Sequence, residues 1–374
     1  MNRFSLGSRL AFPRACKVAK NRAVLAPITH NMSADNGNLS DNELAWLTLC
    51  GQGGFGMLIT AATQVGAGGR CWAGQPALFN DHQQAQFSNI ANMAKQCGAL
   101  SIVQLHHGGV RAHPSLNSTP PVGPSALPVS ARHPNGVTQM SADDIDAMVA
   151  AFSDAAVRAY RAGMDGIELH AAHNFLLCNF LNPELNTRQD AWGGSVQKRT
   201  KLLRDIIGRI RRNAPRDFMI GVRLSPESYA NITGIELAHQ ITVANILIKC
   251  DIDYIHFSMG DTFKLAEQHT EHAVTTLSLI RAGIDTSVPL MVAGHINDET
   301  EVNRAFDLGA DVVAIGTSAL GNPDWPLRVL GRSELHRAPF SEAHLYQQGF
   351  NAKAMTYLRG LAGVVATQSV LEGH

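Results

Sequence analysis

The sequence predicts an α/β protein of the TIM (β/α)8 barrel class, one domain over residues 1–374. Three observations predict it. Short apolar runs recur eight times, helical patterns lie between them, and the ends of several runs carry polar or small residues. Eight strands that each lead into a helix close most economically into a barrel of parallel strands.

The apolar runs are Ala23–Ala26, Met57–Thr60, Ser101–Leu105, Gly166–Leu169, Met219–Leu224, Tyr254–Ser258, Leu290–Ala293 and Val312–Ile315. The helical patterns cover Asp41–Cys50, Gln83–Gln96, Ala142–Ala162, Val196–Asn213, Glu236–Ile248, Ala273–Ala282 and Asp298–Leu308. Ser141 and Asn297 stand where N-caps belong. Gly51, Gly98, Gly163, Gly283 and Gly309 stand at helix ends.

Gly51–Gly56 matches G-x-G-x-x-G, but it leaves a helix and enters a strand, the reverse of a dinucleotide fingerprint. It reads as a turn. Residues 107–140 and 260–273 are longer than the connections need to be and leave the catalytic face, so both are candidate lids. Residues 1–22 carry six basic and no acidic residues, yet Pro13 and the lack of an amphipathic repeat favour a barrel lead-in over a transit peptide. Residues 341–374, with a helical pattern around Lys353–Leu361, would cap the barrel or contact another subunit, which leaves a homo-oligomer open.

Composition narrows the function classes. Lys plus Arg and Asp plus Glu balance at 31 each, so no basic field exists to attract nucleic acid or anionic membranes. No apolar run approaches the roughly 20 residues of a membrane helix. The six cysteines are scattered without a CxxC pair, against a disulfide framework, zinc finger or iron–sulfur site and in favour of a cytoplasmic setting.

Barrel interiors are normally apolar, so inward polar residues are informative. Strand parity places Gln104, His170 and Arg223 inward near the catalytic end. An inward arginine demands a partner. Glu168 is one; a ligand that carries or develops negative charge is the other. His170 and His173 converge only if the chain turns sharply between them; otherwise one is a core histidine and the other a loop residue. Ala293-Gly294-His295 and Gly316-Thr317-Ser318 end the last two strands, where barrels commonly bind phosphate through backbone N–H groups. Together these features point to a long ligand with its phosphate at strands seven and eight.

The chain resembles the Old Yellow Enzyme family of FMN-dependent NAD(P)H oxidoreductases. The resemblance runs through Lys20-Asn21-Arg22, Ala26-Pro27-Ile28-Thr29, Gln104-Leu105-His106, Asp165–His173, Asn186–Ser195 and Gly321-Asn322-Pro323-Asp324-Trp325. It implies FMN as cofactor, NADH or NADPH as reductant, and a small-molecule acceptor such as an enone, quinone or nitro compound. By resemblance His170 and His173 hold the acceptor oxygen over the flavin. Thr29 tunes the flavin, while Pro27, Ile28 and Ala62 line it. Gln104 binds its pyrimidine edge, and Arg223 sits where the reduced flavin is negative. Ala293, Gly294, Gly316 and Thr317 surround the phosphate.

Two departures stand out. Many relatives place a tyrosine proton donor two residues beyond the second histidine, where this chain has Phe175; solvent or another donor such as Tyr229 must then serve. The Gly-Arg pair common on the phosphate loop is Gly316-Thr317, which removes a guanidinium.

Competing chemistries fare worse. A Schiff-base aldolase needs an inward strand lysine, and none of the eight lysines falls in a proposed strand. A metal-dependent barrel hydrolase would gather His106, His170, His173 and His256 at the mouth, without any H-x-H or H-E-x-x-H spacing. A barrel that keeps flavin but has lost turnover is the remaining alternative.

Overall fold

The computed structural model describes residues 4–131, 133–228, 233–266 and 274–367. Eight parallel strands close on themselves: β1 (Ala23–Leu25), β2 (Met57–Ile59), β3 (Leu100–His106), β4 (Gly166–Ala171), β5 (Met219–Leu224), β6 (Tyr254–Ser258), β7 (Leu290–Ala293) and β8 (Val312–Ile315). Each pairs with its successor, and β8 pairs with β1 to complete the ring. Every predicted strand is present; four keep their predicted bounds and four are shifted at an end by one or two residues.

Parity divides the strand residues into two apolar sets. Leu58, Val103, Leu105, Ile167, Leu169, Ile220, Val222, Ile255 and Phe257 join the outer core with the helices. Met57, Ile59, Leu100, Ile102, Met219, Tyr254, Met291, Val312 and Ala314 fill the barrel itself. Gly221 is inward on β5, where a Cβ would lie 2.0–2.5 Å from the Tyr254 ring atoms. Only glycine lets that ring cross the interior.

The helices follow the predicted order with local corrections. The first, Asp41–Gln52, continues through Gly51, so the left-handed exit falls to Gly54 (φ 98°), and Gly51–Gly56 is the helix-to-strand turn expected of it. Asp298 rather than Asn297 caps Glu299–Asp307; its side chain accepts from the Glu301 N–H, while Asn297 bonds the Glu301 carboxylate. The predicted 196–213 helix divides into Val196–Arg199 and Lys201–Asn213 at Thr200, whose hydroxyl donates to the Val196 carbonyl at 2.7 Å. Such back-bonding bends helices. Ser141 and Asp144 form a full capping box on Ala142–Arg161, a motif worth about 1 kcal/mol.

Several helices lie outside the predicted set. Leu176–Leu181 is buried all round and so shows no amphipathic period; Thr317–Gly321 and Trp325–Gly331 follow β8. The C-terminal pattern folds as Glu342–Gln347 and Ala352–Arg359.

At the opposite end, the hairpin Leu10–Phe12/Lys17–Ala19 closes the barrel floor, packing Leu10, Phe12, Ala15 and Ala19 under the interior set. Its basic residues find partners there: Arg14 meets Asp253, and Lys17 lies 2.8 Å from Asp165. The 107–140 connection lies partly over the barrel mouth, whereas residues 267–273 of the second candidate lid are outside the described residues. No helix among the described residues is long and apolar enough to cross a membrane, and all six cysteines are free.

Candidate active site

Strand β4 presents the central pair. Its odd residues face the helices, which leaves Glu168 and His170 inward. Past Ala171 the chain reverses through two successive left-handed residues, His173 (φ 59°) and Asn174 (φ 60°). Non-glycine residues adopt that conformation at about 1–3 kcal/mol each, so the reversal needs fastening. Ser225 Oγ accepts from the His173 N–H at 2.9 Å, Arg111 Nη1 donates to the His173 carbonyl at 2.7 Å, and Asn179 Nδ2 donates to the Asn174 carbonyl at 2.9 Å. The reversal brings the two imidazole rings to 5.0 Å between centroids, edge to face. His106, inward at the end of β3, stands 5.4 Å from His170.

A polar layer lies beneath the pair. Glu168 is fully buried and receives Gln104 Nε2 at 2.8 Å on one oxygen and His256 Nδ1 at 2.9 Å on the other. Burial pushes its carboxyl upward, but His256, Arg223 and Gln104 outweigh that and hold it below the usual carboxylate range. Burial also lowers the His256 pKa, against the pull of Glu168, so the neutral ring donates to the carboxylate. A carboxylate only accepts, which commits the Gln104 amide nitrogen downward and leaves its carbonyl oxygen as the acceptor on the cavity side. His256 thus belongs to this lower layer rather than to the mouth.

The mouth layer is organised by Ser258, the last inward residue of β6. Its Oγ accepts from Arg223 Nη2 at 2.9 Å and lies 2.7 Å from His173 Nε2. His170 accepts the Ala172 N–H on Nδ1 at 3.3 Å, which puts its own proton on Nε2. Burial drives the pKa values of His106, His170 and His173 well below the ordinary histidine value, and the charge of Arg111 lowers all three further. The pair therefore consists of neutral imidazoles at physiological pH.

Two cavities meet here. The larger, about 1090 Å³, is lined by Pro27, Thr29, Ala62, Gln104, His170, His173 and Arg223 among others. The second, about 700 Å³, reaches the ends of β7 and β8 and is lined by Pro27, Ile28, Thr29, Arg223, Ala293, Gly294, Gly316 and Thr317. Pro27, Thr29, Arg223, Tyr357 and Leu361 line both, so one groove runs from the histidines to the loops. All twelve residues singled out in the sequence line it. Gly294 has φ 138°, and a Cβ there would lie 2.3 Å from the Met259 carbonyl oxygen, so the backbone at this loop must be bare.

Sequence reasoning passed over four lining or supporting residues. Ser258 was legible from the parity that exposed Arg223. Trp72 and Arg111 come from loops, and Tyr357 from the C-terminal helix Ala352–Arg359; nothing local marks them. Burial raises the Tyr357 phenol, opposed by the Thr29 hydroxyl and the Arg111 charge. Phe175 packs against His106 at 4.3 Å and His170 at 4.9 Å. Tyr229 lies outside the described residues. Among the described residues, no group of three or more His, Cys, Asp or Glu side chains is arranged to hold a metal ion.

The profile of the NADH:flavin oxidoreductase / NADH oxidase family matches residues 16–335. The chain belongs to that family. A probable NADH-dependent flavin oxidoreductase of Bacillus subtilis is 31% identical over 317 residues, covering 83% of each chain. An NADPH dehydrogenase of Clostridium acetobutylicum is 30% identical over 339 residues, covering 89% of this chain and 96% of the relative. Longer relatives also align, with this chain spanning 32% to 48% of their lengths. In fold, the Old Yellow Enzyme homologue from Zymomonas mobilis superposes with a TM-score of 0.79 at 24% identity, covering 92% of this chain and 98% of that one.

The Old Yellow Enzyme resemblance therefore holds. The family member described here is an NAD(P)H-dependent flavin oxidoreductase that uses FMN.

Proposed function

We propose that the groove holds FMN with its ring system beside the histidine pair and its phosphate at the loops after β7 and β8, and that the pair receives the acceptor. The observation that carries this reading is the continuity of the two cavities through Pro27, Thr29 and Arg223. The donor set fits the group. Buried Arg223 supplies a cation where a reduced flavin is negative, Gln104 offers a carbonyl oxygen to a ring N–H, and bare backbone at Gly294 and Gly316 offers N–H groups to a phosphate. Thr317 stands there in place of a guanidinium, and His295, next to Gly294, also lines that end.

FMN, when bound, supplies hydride exchange between a nicotinamide and an acceptor. The protein's part is electrostatic. His170, through its Nε2–H, and His173 donate to a carbonyl or nitro oxygen as charge develops on it, a type of donor typically worth 10²–10³ in rate. Ser258 fixes the His173 ring against Arg223. Each neutral imidazole keeps one N–H, so it can still donate to that oxygen. Phe175 has no proton to give, so carbon protonation falls to solvent or to another hydroxyl; acceptors that need no such step, quinones and nitro compounds, are favoured beside enones. One polar constellation must serve reductant and acceptor in turn, which gives ping-pong kinetics.

The test is a visible spectrum of the purified protein, taken anaerobically. The flavin band bleaches with NADH or NADPH and returns on adding a quinone or enone after the nicotinamide has been removed. Bleaching without recovery by any of the three acceptor classes would overturn the reading.

A further inference from the structure

We propose that the preferred acceptors are anionic, carrying a carboxylate or similar group beside the reducible one, and that Arg111 is the residue that selects them. The inference rests on the acceptor site assigned above and deepens it.

Arg111 is held but not neutralised. Its Nη1 donates to the His173 carbonyl at 2.7 Å, and its guanidinium lies 4.5 Å over the Phe175 ring. Those two contacts orient the planar fork while leaving most of its five N–H donors uncommitted. No carboxylate among the described residues forms a salt bridge with it. The larger cavity contains a second arginine, Arg223, and no acidic side chain among its described lining, while its His170 and His173 are neutral. A concave site of one sign raises the local concentration of the opposite charge.

The position is as informative as the charge. Phe175 is in edge contact with His170, so the guanidinium stacked on it stands beside the place where the pair would hold an oxygen. Where relatives offer a tyrosine, this chain has a flat apolar platform under a cation. Arg223 cannot perform the same task, because it lies deeper and is tied to Ser258. An acceptor held by the histidines through one end therefore meets Arg111 with another, and a carboxylate there gains a bidentate, charge-assisted contact. The anionic group is a handle only. The hydride comes from NADH or NADPH by way of FMN and the balancing proton from solvent; a nitro group breaks one N–O bond, loses that oxygen as water and becomes a nitroso group, while the carboxylate is unchanged.

The experiment compares 4-nitrobenzoate with 4-nitrobenzamide in the FMN-loaded wild-type and Arg111→Gln proteins. These probes share the reducible nitro group and differ in charge. The wild type favours the benzoate by at least tenfold in kcat/KM, through KM, and Arg111→Gln collapses that ratio toward one while Arg111→Lys retains part of it. A direct binding measurement with 4-hydroxybenzoate and 4-hydroxybenzamide shows the same change in the ratio of Kd values without any turnover. A wild-type ratio near one, or a ratio unaltered by Arg111→Gln, overturns the proposal. So does slowed flavin reduction by NADPH with the ratio preserved, which would assign Arg111 to the phosphates of the reductant. Failure of the underlying site reading looks different: neither nitro compound would reoxidise the reduced flavin.

Discussion

The floor and the mouth of this barrel treat positive charge in opposite ways. At the floor Arg14 and Arg211 converge on the buried Asp253, Lys17 reaches Asp165, and Arg22 and Lys20 donate to the carbonyls of Asp311 and Cys97. At the mouth the larger cavity gathers Arg111 and Arg223 with no acidic side chain among its described lining. A buried cation needs a partner, which the floor supplies within the fold; at the mouth Arg223 is bonded to Ser258, while Arg111 is exposed and open to an incoming anion. Between the two lies Glu168, whose carboxylate is spent on Gln104 and His256 and serves to aim Gln104.

The largest effect should come from breaking the floor. Asp253→Ala strands two arginines and the Ile220 N–H, a loss of about 3–5 kcal/mol, read as a fall of roughly 5–10 °C in Tm. Activity per folded molecule should hold, since none of these groups lines the groove. Adding a donor to the mouth comes next: Phe175→Tyr should speed enone reduction about tenfold or more and leave nitro reduction within twofold, because only the first needs a proton on carbon. Equal effects on both would count against the role given to position 175.

Acid should find the mouth before the floor. His106, His170 and His173 have folded pKa values depressed below the unfolded value near 6.5, and burial holds His107 at about 4. Below pH 6.5 the unfolded chain binds more protons than the folded one, so stability is level above that pH and falls as pH drops beneath it. Thermal unfolding between pH 8 and 5 should show this slope. It should flatten in a protein with His170→Ala and His173→Ala and persist with Asp253→Ala. The smallest expected change is Ser258→Ala, which unties His173 from Arg223; a loss of about tenfold in kcat/KM with FMN retained is expected, in line with about 1–1.5 kcal/mol for one hydrogen bond.

The same contrast explains what the sequence disclosed. Apolar runs and strand parity are local properties, so the first revealed the eight strands and the second the inward Gln104, His170 and Arg223 without any tertiary knowledge. The floor was harder: residues 1–22 were legible as a barrel lead-in, but the partners of their basic residues were not, because Asp165 and Asp253 lie more than 140 and 230 positions away in the chain. Arg111 and Tyr357 were invisible for a related reason. They lie in a segment expected as a lid and in one expected as a cap or subunit contact, but no short-range pattern specifies which of their side chains reach the groove. Phe175 was legible as a missing hydroxyl but not as the platform beneath a guanidinium.

The central claim is that the histidine pair at the mouth serves an acceptor rather than the fold or the cofactor. Its most direct test is the affinity for 4-hydroxybenzaldehyde of wild type and of a protein with His170→Ala and His173→Ala, with FMN content measured on the same samples. Affinity should fall about a hundredfold or more while FMN remains stoichiometric. Loss of FMN from the double variant, or unchanged affinity for the phenol, would contradict the account.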